Sequence, residues 1–215
     1  MNLLDIFFPK RCVGCRKIGK YFCEECRKKI RPILDNERIC PMCGRLAYKG
    51  ITHPYCRTND GIDGLTSFFH YEGVVQKAIK AIKYRGVSDL AKEFVGLATI
   101  PDFSQYILIP IPLHSIRYRE RGFNQAEVLG KHLHIPMRTD ILYRTHHTKP
   151  QAEMKRKERL ENMQNVFSIH KSFIFHHSSV ISFDDVFTTG ATMRSAAYAL
   201  KRAGAKNIWA ITIAR

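Results

Sequence analysis

The segment Val180-Ile181-Ser182-Phe183-Asp184-Asp185-Val186-Phe187-Thr188-Thr189-Gly190-Ala191-Thr192 constrains the fold of this chain most. Its apolar start, residues 180–183, has the length and residue types of a strand buried inside a sheet. Residues 191–203 read as a helix, so the turn between them delivers a helix N-terminus to the carboxyl end of a strand. Unpaired amides and the positive end of the helix dipole make such a turn an anion site. Gly190 lets the backbone approach an anion closely, and Thr188, Thr189 and Thr192 add hydroxyl donors. Asp184 and Asp185 stand side by side at the strand end, where carboxylates can accept hydrogen bonds from adjacent sugar hydroxyls. A ligand-free helix cap would need one threonine and no paired acids.

Strand and helix patterns alternate around this segment. Residues 65–71 read as a strand and 74–84 as a helix with Val75, Ala78, Ile79 and Ile82 on one face. Residues 90–100 continue helical, and 106–111 form a buried strand. Residues 124–133 form a helix capped by Asn124. Short strands are expected at 141–143 and 166–169, a helix at 155–163 and a last strand at 208–213. Gly204 stands where a left-handed helix end is expected. The alternation predicts an α/β domain over 61–215, a mostly parallel sheet flanked by helices. Ligands then bind beyond the carboxyl ends of its strands.

Residues 1–60 differ: they hold all seven cysteines and little periodic pattern. Cys12 and Cys15, Cys23 and Cys26, Cys40 and Cys43, then His53 and Cys56 are each separated by two residues. An odd, clustered set argues against a disulfide framework and, in a reducing compartment, for metal. Zinc takes four sulfur or nitrogen donors. The spacing gives two closed structural sites, Cys12/Cys15/Cys23/Cys26 and Cys40/Cys43/His53/Cys56. One rival pairing joins Cys12 and Cys15 to Cys40 and Cys43 in a single site; a redox CxxC is another alternative.

The 35 Lys and Arg residues exceed the 19 acids by enough to give a formal net charge of +16. That excess directs the chain toward nucleic acid, phosphorylated metabolites or an acidic membrane surface, unless it reflects a basic proteome. Within 1–60, basic residues from Lys10 to Arg31 interleave with Tyr21 and Phe22, and Tyr48 and Tyr55 follow. Cations track phosphates and aromatic faces stack unpaired bases; the alternative is that the aromatics fill a small core around zinc. Apolar runs are strand-sized, which predicts no membrane span, and residues 1–9 read as a hydrophobic flap rather than a signal peptide. A cytoplasmic protein is expected, with a peripheral place at the inner face of the membrane as a variant.

The acid–threonine segment resembles the phosphoribosyl-pyrophosphate motif of type I phosphoribosyltransferases. On that resemblance Asp184 and Asp185 hold the ribose 2- and 3-hydroxyls and act as the catalytic pair, and Val186, Phe187, Thr188, Thr189, Gly190, Ala191 and Thr192 form the phosphate cradle. Ser182 and Phe183 depart from the usual aliphatic residues. Pro112 and Leu113, with Arg117, Arg119, Arg121 and Gly122 beyond them, offer a lid of donors and cations for pyrophosphate. Mg²⁺ would accompany the phosphoribosyl ligand; a solvated basic loop is the alternative. Further landmarks are Lys83-Tyr84-Arg85-Gly86, Pro110-Ile111-Pro112, Arg121-Gly122-Phe123-Asn124-Gln125, Gln151, Arg159, Asn162, Phe167 and Ala214-Arg215. In this order they resemble the ComF competence proteins over nearly the whole chain. His53 stands where that family usually has a cysteine. The resemblance implies a role in natural transformation: handling of incoming single-stranded DNA, a ribose phosphate or phosphoribosyl pyrophosphate ligand, and inner-membrane DNA-uptake machinery as a partner. The alternatives are a working Mg²⁺-dependent phosphoribosyltransferase of nucleobase or amine metabolism, and a structural adaptor at the membrane.

Overall fold

A computed structural model describes residues 9–85, 88–145, 166–170, 173, 175 and 178–215. Residues 1–8 of the expected flap, the expected helix at 155–163, and Gly86, Gln151, Arg159 and Asn162 lie outside these residues. In chain order the elements are α1 (Glu24–Arg27), β1 (Gly64–Phe69), α2 (Gly73–Arg85), α3 (Ser88–Val95), β2 (Ile107–Pro110), α4 (Ser115–Arg121), α5 (Gln125–Gly130), β3 (Leu142–Arg144), β4 (Phe167–Ile169), β5 (Ser179–Val186), α6 (Ala191–Arg202) and β6 (Asn207–Ala214).

Four strands in the order β1-β6-β5-β2 form one sheet, parallel at every pairing. β3 and β4 pair separately and antiparallel. Parallel strands need crossovers, and the helices that provide them cover both faces. On one face Ile79, Ile82, Phe94 and Leu129 pack with Phe183 and Ile211. On the other, Met193, Ala196 and Leu200 of α6 pack with Val180, Ile208 and Ala210. Side chains of β5 alternate between these cores, as the pleat requires. The two departures in the apolar run now have reasons. Phe183 packs against α5, and the hydroxyl of buried Ser182 donates to Met193 Sδ at 3.4 Å.

Three elements differ from the sequence reading. Residues 96–100 leave the helix, which stops at Val95 before Gly96. Arg117, Arg119 and Arg121, read as part of a lid or solvated loop, lie in α4, whose first turn is capped by His114 Nδ1 accepting from the Ile116 amide at 3.2 Å. β5 runs on through both acids to Val186, because β6 pairs with it that far (Asp184 with Thr212, Val186 with Ala214). Asn124 caps α5 as expected, its Oδ1 accepting from the Ala126 amide at 3.0 Å.

The cysteine module shares the core of the α/β domain. Phe22 stacks on Phe94 at 5.4 Å, and Phe94 on Phe69 at 5.7 Å. The Phe22 amide donates to Glu93 Oε1 at 2.9 Å, and Lys77 Nζ donates to the Gly14 carbonyl at 3.1 Å. Among the described residues, no helix is long and apolar enough to cross a membrane.

Candidate functional site

Strand alternation governs what the two acids can do. Ile181 and Phe183 face the core under α2, and Asp185, the next residue of that register, meets Lys83 of α2 there: Nζ lies 2.6 Å from Oδ2. Asp185 is buried, and Oδ2 has this ion pair but no aligned hydrogen bond among the described residues. Asp184 belongs to the opposite register and keeps part of its surface open. Burial, then the neighbouring Asp185 carboxylate, hold the Asp184 carboxyl well above the usual carboxylate range; the Asp185 amide, donating to its Oδ1 at 2.8 Å, offsets part of this.

Beyond Val186 the chain turns into α6 through Phe187, Thr188, Thr189 and Gly190. Phe187 is buried and its amide donates to the Ala214 carbonyl at 2.9 Å, so it anchors the loop and has no N–H to offer a ligand. Thr188, Thr189 and Thr192 are exposed, and Thr189 Oγ1 accepts from the Ala191 amide at 3.4 Å. Gly190 has φ of 73°, and a Cβ there would lie 2.5 Å from Phe187 Cζ and 2.7 Å from Arg194 Nη1. The first turn of α6 carries no carboxylate to compete for its amides. Arg194, half-buried in the next turn, donates to the Pro41 carbonyl at 3.2 Å and so ties α6 to the knuckle between Cys40 and Cys43.

Pro112 and Leu113 follow β2 at the same edge of the sheet, beside the Ile111 amide that donates to the Phe183 carbonyl at 2.8 Å. Asn124 Nδ2 pins this turn through the Ile111 carbonyl at 3.0 Å. Arg121 donates to Gln125 Oε1 at 3.0 Å and lies over the Tyr84 ring at 5.8 Å, next to Lys83. Sequence reasoning quoted Lys83 only as a landmark and missed Arg144 altogether. The Arg144 guanidinium sits over the Phe167 ring at 5.6 Å, and its buried Nε has no hydrogen-bond partner among the described residues. Burial, then repulsion from Arg117, lower its pKa, while attraction to Asp184 opposes both. A three-residue strand gives no periodicity from which this placement could be read.

The metal-type residues gather into the two expected sets. Ligand atoms of Cys12, Cys15, Cys23 and Cys26, and those of Cys40, Cys43, His53 and Cys56, lie within 4.8 Å of one another in each set. A tetrahedron of Zn–S bonds has edges of about 3.8 Å. Cys15 Sγ and Cys23 Sγ are 3.6 Å apart, and Cys43 Sγ is 3.5 Å from His53 Nδ1. The single-site rival, joining Cys12 and Cys15 to Cys40 and Cys43, is thereby excluded. His53 Nε2 donates to the Leu46 carbonyl at 2.9 Å, leaving Nδ1 as the ligand atom. Burial opposes the Cys12 thiolate, yet the amides of Cys23, Cys15 and Gly14 aimed at it bring its pKa down to about 6. Burial and neighbouring sulfurs push Cys26 up to about 12. Cys40 and Cys56 split in the same way, to about 7 and about 11. The donors suit zinc, which would hold each knuckle closed.

Residues 3–58 match the family model described as a double zinc ribbon domain. Competence protein ComFC of Bacillus subtilis is 30% identical, the match covering 95% of this chain and 88% of that protein. The chain belongs to the ComF family of competence proteins. Competence protein F of Haemophilus influenzae is 28% identical over 97% of this chain and 98% of its own. DNA utilization protein YhgH of Escherichia coli K12 is 25% identical over 94% and 96%. Among solved structures, an allosteric regulatory enzyme of purine biosynthesis superposes only loosely, with a TM-score of 0.38 and 16% identity over 82% of this chain and 30% of that one.

Proposed function

We propose that this ComF protein handles incoming single-stranded DNA during natural transformation and holds a phosphoribosyl group in the 184–192 loop. Relatives named for competence and for DNA utilization support the first half. One observation carries the second: a half-open acid at the end of β5 stands beside a helix N-terminus whose entry is a left-handed glycine. A monoester phosphate fits the α6 amides, with Thr188, Thr189 and Thr192 around it. Asp184 accepts from a ribose hydroxyl, and Asp185, steadied by Lys83, from its neighbour. Pro112, Leu113 and Arg121 would face a pyrophosphate and its accompanying Mg²⁺. On this reading the protein works in the cytoplasm, at the inner face of the membrane, with the DNA-uptake machinery as its partner.

The test is calorimetric titration with ribose 5-phosphate and with Mg²⁺–phosphoribosyl pyrophosphate. Asp184→Ala leaves the Lys83–Asp185 pair in place and should weaken binding about 10- to 100-fold, the worth of a charge-assisted hydrogen bond. Unchanged affinity would refute the sugar site. Pyrophosphate release coupled to consumption of a base would turn binding into transfer.

A further inference from the structure

The described aromatic residues of the ribbon module divide into two groups. Phe22 is buried and Tyr21 half-buried, both packed on the shared core. Tyr48 and Tyr55 of the second ribbon are 78% and 74% exposed. Each sits in a short 3₁₀ turn, Tyr48–Gly50 and Pro54–Cys56, on either side of His53. Leu46 and Ile51 between and beside them are exposed as well. Rings displayed on turns, outside the core, expose apolar surface that folding alone does not require.

The display is rigid. Lys49 and Gly50 have φ of 50° and 75°. Gly50 is buried, with its backbone so close to the sheet that a Cβ would overlap the Leu65 carbonyl oxygen. The Gly50 and Ile51 amides close the turn onto the Ala47 and Tyr48 carbonyls, both at 3.0 Å. The Thr52 amide donates to the Asp63 carbonyl at 2.9 Å. Tyr55 rests one face on His53, with ring centroids 5.1 Å apart and planes 14° from parallel. Lys49 Nζ lies 5.3 Å from the Tyr48 ring centroid. A left-handed lysine costs energy, and the strain persists because the surrounding contacts impose it.

Charge names the occupant. From Arg38 to Asn59 the sequence has no Asp or Glu, and Arg45, Lys49 and Arg57 are exposed; the acids of the adjoining turn, Asp35 and Glu37, are taken up by Arg38 and by Arg31 and His70. Aromatic faces set among unopposed cations match a strand with unpaired bases and a phosphate backbone. We propose that Tyr48 and Tyr55 are the stacking platform for bases of single-stranded nucleic acid, with Arg45, Lys49 and Arg57 on its phosphates. This rests on the single-strand reading above and says where on the molecule the strand lies.

Fluorescence anisotropy of full-length protein with labelled oligothymidine, and with an abasic strand of equal length, tests it. Tyr48→Ala/Tyr55→Ala should weaken oligothymidine binding about 10- to 100-fold, leave abasic affinity and the salt slope unchanged, and keep wild-type zinc content. Tyr48→Phe/Tyr55→Phe should bind as wild type. Because Tyr55 touches a zinc ligand, a zinc loss in the double variant hands the test to Tyr48→Ala alone, which should show a smaller loss of the same kind. Equal oligothymidine affinity in wild type and variant would overturn the inference and give the surface to a protein partner. A parallel loss on the abasic strand would overturn it too, as a structural effect. Wild-type protein that binds neither strand would remove the single-strand reading itself, and this inference with it.

Discussion

Asp184 and Asp185 are neighbours in sequence with unlike surroundings. Asp185 has a cation at 2.6 Å; Asp184 has burial and a like charge, so its carboxyl holds its proton well above the ordinary aspartate value of 3.8. Between that value and its folded pKa the native state binds a proton that the unfolded chain has released, so stability falls as pH rises through this window. Asp184→Asn removes the penalty. The variant should be more stable than wild type by on the order of 1 kcal/mol near neutral pH, with the difference vanishing as pH drops toward 4. Melting curves across that range check it, and a gap that widens in acid would contradict the assignment. The motif made these acids visible in sequence, yet not their opposite facings, which follow from β5 continuing through them. Nor did Lys83 declare itself, since its partner stands 102 residues away in the chain, from 83 to 185.

At the scale of elements, the loop between β5 and α6 depends on one backbone position. Gly190→Ala would force a Cβ toward Phe187 Cζ and Arg194 Nη1 at a φ of 73°. The left-handed penalty and the displaced contacts together should cost about 2 kcal/mol, measurable by denaturant unfolding, with ribose phosphate binding lost alongside. A cost near zero would mean that the loop readily takes another shape. The strands and the long helices were legible because their apolar periodicity matched burial on both sheet faces, as in Val75, Ala78, Ile79 and Ile82 of α2. α4 was not, because Ser115–Arg121 buries no residue and is dominated by arginine, so it has no apolar stripe to read. The two cysteine sets were legible from spacing, since a metal knuckle is a local structure.

The whole molecule is less divisible than its sequence implies. A boundary near residue 60 separates compositions, but Cys12, Phe22 and Cys26 lie in one core with Phe69, Val75 and Phe94. Those contacts join residues far apart in the chain, and spacing alone does not register them. Zinc held at the first set therefore secures part of the main core. Stripping the metal with a chelator should lower a single calorimetric transition of the full chain, rather than melt the ribbons and leave the sheet unaffected. An unshifted main peak would show that the module stands alone. The Arg194–Pro41 bond extends the same reasoning to the other end of the molecule. Anyone trimming this chain to its α/β sheet would be tempted to discard the second ribbon as ballast, and would thereby remove the bracket against which α6 is braced.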